Sequence, residues 1–224
     1  MSAAPCGLSL VVLRNVPLFS GLDEHELEKL SRVAGRKRVE RGAFVVRAGD
    51  STDSLYVLIS GRAKVTNTDE EGREIILAWL GPSEFFGEMG MIDGSPRSAN
   101  VVAAEPCELL FLDKDSLQRC LQDNFEVVQK LMKILVLRLR EADRKIESLA
   151  LMDVYGRVAR LLLEMSEEID GLKVVKKKIS KQDIAKMIGA SREMVSRVMK
   201  DLGLRGLIEE TDGGIILREK IIDL

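Results

Sequence analysis

The stretch Phe85 to Ala99, FFGEMGMIDGSPRSA, gathers glycines, one carboxylate, one arginine, a proline and a serine hydroxyl between two β-favouring runs. Gly87 would let backbone amides come close to an anion. Arg97 offers a charge-assisted fork to phosphate oxygens, Ser98 donates a hydroxyl, and Glu88 accepts from a ribose hydroxyl. That chemistry suits a cyclic nucleotide. Read from the residues alone, Glu88 and Arg97 are equally an ordinary cross-strand ion pair.

A second constellation lies near the C-terminus. Ser180 is placed to cap a helix from Lys181 to Ile188, Gly189 supplies a tight turn, and Ser191 caps a helix running to Leu202. On that last helix Arg192, Glu193, Ser196 and Arg197 share one side, while Val195, Val198, Met199 and Leu202 form the apolar face. Arginine matches guanine edges bidentately and glutamate accepts from cytosine N4, so the polar side is chemically fit for a DNA major groove. Around it, Lys173, Lys176, Lys177, Lys178, Lys181, Lys186, Arg192, Arg197, Lys200 and Arg205 stand against only Asp183, Glu193 and Asp201. A basic patch of this kind on a chain of net charge -2 is what counterion release from nucleic acid uses. A solvated lysine face is the plainer alternative.

Elements must hold these groups in place. Asp23 and Glu24 suit a helix N-terminus, predicting a short helix within residues 18–33. From Arg38 to Leu112 short β-favouring runs (residues 44–46, 55–59, 63–65, 75–77, 100–102 and 108–111) alternate with turns at Gly42, Gly49, Gly61, Gly72, Gly81-Pro82 and Gly94. Many short strands at close spacing predict an antiparallel roll or barrel. After Asp115 the pattern turns helical, and Val128, Met132, Leu135, Leu139, Ala142, Ile146 and Leu149 recur at alternating steps of four and three, the repeat of a coiled-coil seam. A parallel homodimer is the expectation, a helix packed on its own domain the alternative. Beyond Met152 the pattern predicts helices at 154–168, 181–188 and 191–202, a strand at 172–175, and a terminal hairpin joined through Asp212-Gly213-Gly214.

Composition narrows the classes further. The 224 residues are 46% hydrophobic and 31% charged, which supports folded domains and speaks against wholesale disorder. No run reads as a membrane span or secretion signal, giving a cytoplasmic expectation. Cys6, Cys107 and Cys120 are odd in number and widely spaced, as for reduced thiols. The single histidine, His25, leaves no multi-histidine metal site, and no metal is expected. Ser98, Cys107 and Asp113 have no histidine near them in sequence, so an enzyme is not expected.

Residues Ile184 to Arg197, IAKMIGASREMVSR, resemble the helix-turn-helix of the cyclic AMP receptor protein/fumarate-nitrate regulator (Crp/Fnr) family of bacterial transcription factors. The Phe85 to Ala99 segment resembles that family's phosphate-binding cassette. The resemblance runs from about Leu18 to the C-terminal hairpin. It implies an α+β protein: an N-terminal antiparallel, jelly-roll-like β-roll that binds cyclic nucleotides (residues 1–115), a long dimerisation helix (116–151) and a winged helix-turn-helix (152–224). It assigns base reading to Arg192, Glu193 and Arg197 and puts Ser191 nearer the phosphates, with Ser180, Ser196 and Lys200 completing the DNA-binding set. In the roll it assigns effector contacts to Gly87, Glu88, Met89, Arg97 and Ser98.

The long helix departs from the family pattern. Alignment at Leu149 to Asp153 places Arg138 where cyclic-AMP-responsive members carry a ligand-facing arginine. It sets Ala142 and Asp143 where those members hydrogen-bond adenine through a threonine and a serine. Ala142 bonds no base, and ionised Asp143 only accepts. The resemblance therefore implies cyclic AMP or cyclic di-GMP as effector, palindromic double-stranded DNA and RNA polymerase as partners, and a homodimer. The segment between Glu168 and Ile179 is shorter than in the best-known activator, so its polymerase-contacting surface does not carry over. A ligand-independent regulator, and a sensor dimer acting through protein contacts only, are the alternatives. The family's iron-sulfur relatives need an N-terminal cysteine cluster, where only Cys6 is present, and its haem-binding relatives need an axial histidine on the roll or long helix.

Overall fold

The runs of β-branched and aromatic residues at 44–113, joined by a basic strand at 35–39, pair into two four-stranded antiparallel sheets. The computed structural model describes residues 6–176, 179–211 and 213–218, and the chain divides into two units, residues 1–139 and 140–224. Lys177, Lys178 and Asp212, singled out above, lie outside the described residues.

In the first unit, helix α1 (Cys6–Arg14) and a one-turn 3-10 helix (Pro17–Phe19) precede α2 (Glu24–Val33). Asp23 caps α2 in a full capping box: its Oδ1 accepts from the Glu26 amide at 2.8 Å and Glu26 Oε2 accepts from the Asp23 amide at 2.8 Å. Strands β1 (Gly35–Val39), β2 (Phe44–Val46), β3 (Ser54–Ser60), β4 (Ala63–Thr68), β5 (Glu74–Leu80) and β6 (Phe85–Phe86) lead to helix α3 (Met89–Asp93). Then follow β7 (Asn100–Ala103), β8 (Cys107–Asp113) and helix α4 (Lys114–Asp123). One sheet has the order β1-β8-β3-β6 and the other β2-β7-β4-β5.

Two cores explain the near-continuous apolar run of β3, which is covered on both faces. Leu58, Phe86 and Leu109 meet Val45, Val46, Ala63, Leu80 and Val101 between the sheets. Leu55, Val57, Phe85, Leu110 and Leu112 face the other way, against Leu13, Phe19, Leu27, Leu30, Leu117, Val127 and Leu131 of the helical layer.

The helical stretch expected after Asp115 is two helices. α4 ends at Asn124, whose backbone is extended (φ -132°, ψ 93°) and whose Nδ2 donates to the Cys120 carbonyl at 3.0 Å; its own carbonyl accepts from Val127 and starts α5 (Phe125–Leu151). Along α5, Val127 and Leu131 are buried and Ile134 and Leu135 lean on the helical-layer core. Met132, Val136, Leu139, Ile146 and Leu149 stand out, each about half exposed or more. No helix among the described residues is long and apolar enough to cross a membrane.

The second unit carries α6 (Val154–Met165), β9 (Glu167–Ile169), β10 (Leu172–Val175), α7 (Lys181–Ile188), α8 (Arg192–Leu204), β11 (Ile208–Thr211) and β12 (Gly214–Leu217), with sheet order β11-β12-β10-β9. The helix expected to reach Glu168 stops at Met165. Ser166 turns extended, and Glu167 to Ile169 pair with β10 instead of continuing the helix. Val158, Leu162, Ile184, Val195, Met199 and Leu202 close a third core against Val175, Ile208 and Leu217.

Candidate functional site

The cassette begins where β6 ends. Gly87 takes a left-handed φ of +87°. A Cβ there would collide with the Arg97 guanidinium and lie 3.0 Å from the Ser54 carbonyl oxygen, so both the conformation and the close approach require glycine. Helix α3 follows and is closed by Gly94 in the left-handed conformation. Asp93 Oδ1 accepts from the Ser95 amide at 2.8 Å, and Thr52 Oγ1 donates to the Ser95 carbonyl at 3.0 Å, which fixes the loop that delivers Arg97.

Arg97 is buried, its side chain only 4% exposed. Nη1 donates to the Gly87 carbonyl at 3.0 Å and Nη2 to the Ser54 carbonyl at 2.8 Å, while the exposed Asp53 carboxylate stands 3.6 Å away. The guanidinium also lies over the Tyr56 ring at 5.8 Å. Glu88 is buried too, but its partner is not Arg97. Arg138 on α5 donates from Nη1 to Glu88 Oε1 at 2.6 Å and from Nη2 to the Phe85 carbonyl at 2.7 Å, with its guanidinium 4.8 Å from the Phe85 ring centre. The cross-strand Glu88–Arg97 pair is therefore replaced by a link from cassette to α5. Ser98 is exposed beside the half-exposed Met89, its hydroxyl 3.8 Å from the Met89 sulfur. Ala142 and Asp143 are exposed further along α5, Asp143 with no hydrogen bond or ion pair among the described residues.

Residue pattern missed several members of this cluster. Ser54 takes part through its backbone carbonyl, which no side-chain signature reveals. Asn67 on β4 donates to the Ser98 carbonyl at 3.3 Å, and Thr52 and Asp53 belong to the segment that leads into β3. Two cavities of about 320 and 190 Å³ open elsewhere, one beside Phe19 and Leu27, the other beside Lys64 and Thr66; no cassette residue lines either. No cluster of three or more metal-ligating side chains exists among the described residues.

In the second unit the expected caps form. Ser180 Oγ accepts from the Asp183 amide at 3.0 Å, and Ser191 Oγ accepts from the Met194 amide at 3.2 Å. Between them Gly189 is left-handed (φ 64°, ψ 48°), the conformation that lets α8 leave α7 through a short turn. Val195, Met199 and Leu202 are buried, Val198 is half-buried, and Arg192, Glu193, Arg197 and Lys200 are exposed, with Ser196 half-buried at the edge. No hydrogen bond or ion pair among the described residues engages those four charged side chains. Others of the basic set are occupied: Lys176 with Glu167 at 3.1 Å, Lys181 with Glu210 at 3.7 Å, and Arg205 with Asp201 at 2.8 Å while stacked 5.4 Å from the Tyr155 ring.

A β-roll with a glycine-arginine cassette, a long helix and a winged helix-turn-helix together define a sensor-linked DNA-binding regulator. The cyclic nucleotide-binding domain model matches residues 36–124 and the Crp-like helix-turn-helix model residues 156–220. The cAMP-activated global transcriptional regulator Vfr of Pseudomonas aeruginosa is 35% identical over 209 residues, covering 89% of this chain and 94% of Vfr. A CRP-like cAMP-activated global transcriptional regulator of Mycobacterium tuberculosis is 29% identical over 212 residues, 93% of this chain and 95% of that protein. Among solved structures, the c-di-GMP responsive global regulator CLP of Xanthomonas campestris superposes with a TM-score of 0.73 at 30% identity, covering 87% of this chain and 99% of that one. The chain belongs to the Crp family of transcriptional regulators, and it is a DNA-binding regulator with a cyclic nucleotide-binding domain.

Proposed function

We propose that the protein is a cytoplasmic homodimeric regulator whose affinity for palindromic DNA is set by cyclic AMP or cyclic di-GMP bound in the roll, and that it has no enzymatic activity. The observation that carries this reading is the row of Arg192, Glu193, Arg197 and Lys200, without partners among the described residues, on the exposed side of α8, backed by an apolar face that holds the helix in its domain. Arg192 and Arg197 offer bidentate donors to guanine, Glu193 accepts from cytosine, and Lys200, Ser180, Ser191 and Ser196 serve phosphates and helix ends. Dimerisation along the seam Val128, Met132, Leu135, Leu139, Ala142, Ile146 and Leu149 would present two such helices about 34 Å apart, one turn of DNA. RNA polymerase is the further partner of such a regulator.

In the roll, Gly87, Glu88, Met89, Arg97 and Ser98 bind the effector's sugar-phosphate, with Arg138, Ala142 and Asp143 at the base. Arg97 exchanges one of its carbonyl partners for a phosphate oxygen, a stronger charge-assisted bond. Glu88 exchanges Arg138 for a ribose hydroxyl. Effector binding thereby acts on α5, and a preference of a few kcal/mol for one state is sufficient to shift the population.

Isothermal titration of cyclic AMP and of cyclic di-GMP into wild type and Arg97→Ala, followed by DNA binding with and without each, tests the reading. One nucleotide binding wild type and not Arg97→Ala, and tightening DNA binding, is the expected result. Absence of heat from both, with DNA bound regardless, would leave a ligand-independent regulator.

A further inference from the structure

The seam repeat fixes a heptad register on α5. Alternating steps of four and three make Met132, Leu139 and Ile146 one core position and Val128, Leu135, Ala142 and Leu149 the other. Arg138 then falls on one flank of the seam and Asp143 on the opposite flank, five residues further on. Within one helix, residues five apart do not face each other. In a parallel pair of helices these two flanks are the ones that meet across the seam.

We propose that Asp143 of a second copy of this chain binds Arg138, so that each cassette is tied to the partner helix through Glu88, Arg138 and Asp143. This rests on the proposed seam. Arg138 has capacity for a third partner: it spends one N–H on Glu88 and one on the Phe85 carbonyl, of the five a guanidinium carries, and its side chain remains 36% exposed. Asp143 is exposed and unengaged among the described residues. Small Ala142 beside it brings the helices close. The pairing also selects direction, because in an antiparallel seam each flank meets its own kind and Arg138 does not reach Asp143. A base that donates to Asp143 competes with Arg138 for the carboxylate, which connects effector identity to the strength of the seam.

Sedimentation equilibrium on the full chain at low and high salt tests the pair. Asp143→Asn should weaken the dimer about fivefold and Asp143→Arg more than about tenfold at low salt, since two exposed pairs are lost per dimer. Both differences should shrink near 1 M salt. Glu141→Gln, an exposed charge directed away from the seam, should change nothing. An Asp143→Arg dimer as tight as wild type at low salt would overturn the pair and leave the seam standing, whereas a wild type that stays monomeric at every concentration would overturn the seam itself. Ala142→Cys should cross-link to its own copy under mild oxidation, and failure to do so in a proven dimer would exclude the parallel register on which the pair depends.

Discussion

Individual side chains carry the chemistry, and their partners decide how far they are free to use it. Arg192 is unengaged among the described residues, so Arg192→Ala should cost about 1–3 kcal/mol of discrimination between cognate and altered base pairs with little loss on random DNA. Competition binding against single-base operator variants checks it, and equal losses on all sequences would refute base reading. Gly87→Ala forces a left-handed alanine against a buried guanidinium, and should destabilise the first unit by about 1–3 kcal/mol while abolishing nucleotide binding. Thermal melting with and without nucleotide separates the two effects. Burial pushes the Cys120 thiol up to about 11 and also raises that of Cys107. Both should therefore resist a thiol reagent at neutral pH until the protein unfolds, as reduced structural thiols do. The sequence offers Arg97 and Glu88 as candidate site residues, but the partners they take in the fold were not legible. Backbone carbonyls of Gly87 and Ser54 carry no residue signature, and the Arg138 partner of Glu88 comes from 50 residues downstream.

Secondary-structure elements were legible where one periodicity dominated. Strands at 44–46, 55–59, 100–102 and 108–111 appear nearly as read, and both caps of the helix-turn-helix hold. Strand β1, Gly-Arg-Lys-Arg-Val, escaped because its Arg36, Lys37 and Arg38 hide the alternation, although it pairs along its whole length with β8. The overrun of α6 past Met165 has a different cause: Glu167 and Glu168 are good helix formers, and pairing with β10 overrides their propensity. The start of α4 makes a pH-dependent prediction. Asp113 accepts from the Ser116 amide at 2.7 Å, and that backbone bond, followed by one from the Ser116 hydroxyl, holds its carboxyl below the ordinary value. A depressed folded-state value stabilises above the unfolded value of about 4 and is lost as pH falls through the folded one. Asp113→Asn should therefore cost most near neutrality, within the roughly 1 kcal/mol typical of a cap, and converge with wild type in acid denaturation series.

At the scale of the whole molecule, charge and fold act together on DNA. Salt bridges already occupy Lys176, Lys181 and Arg205, so the basic patch read from composition overstates what remains for phosphates. Lys200 is among those left unengaged. Lys200→Gln should reduce the slope of log K against log salt by about 1 per protomer, about 2 for the proposed dimer, without altering sequence preference. A slope unchanged from wild type would remove Lys200 from the phosphate set. The β-roll and the helix-turn-helix were legible as folds because two unrelated textures, short β-runs and capped helices, follow one another along the chain. The cassette-to-α5 link was not, because it joins groups distant in sequence.

The order of strands in the reading domain has a kinetic consequence. β9 and β10 are joined by Asp170 and Gly171, both left-handed, a two-residue turn of the sort that forms hairpins in about 1–10 μs. β10 must then wait for β12, which emerges only after α7 and α8 have been passed. The helix-turn-helix is thus the long loop that this sheet closes, and loop closure is late and slow compared with the local hairpin. During synthesis the recognition helix gains its supporting sheet only once β12 has left the ribosome.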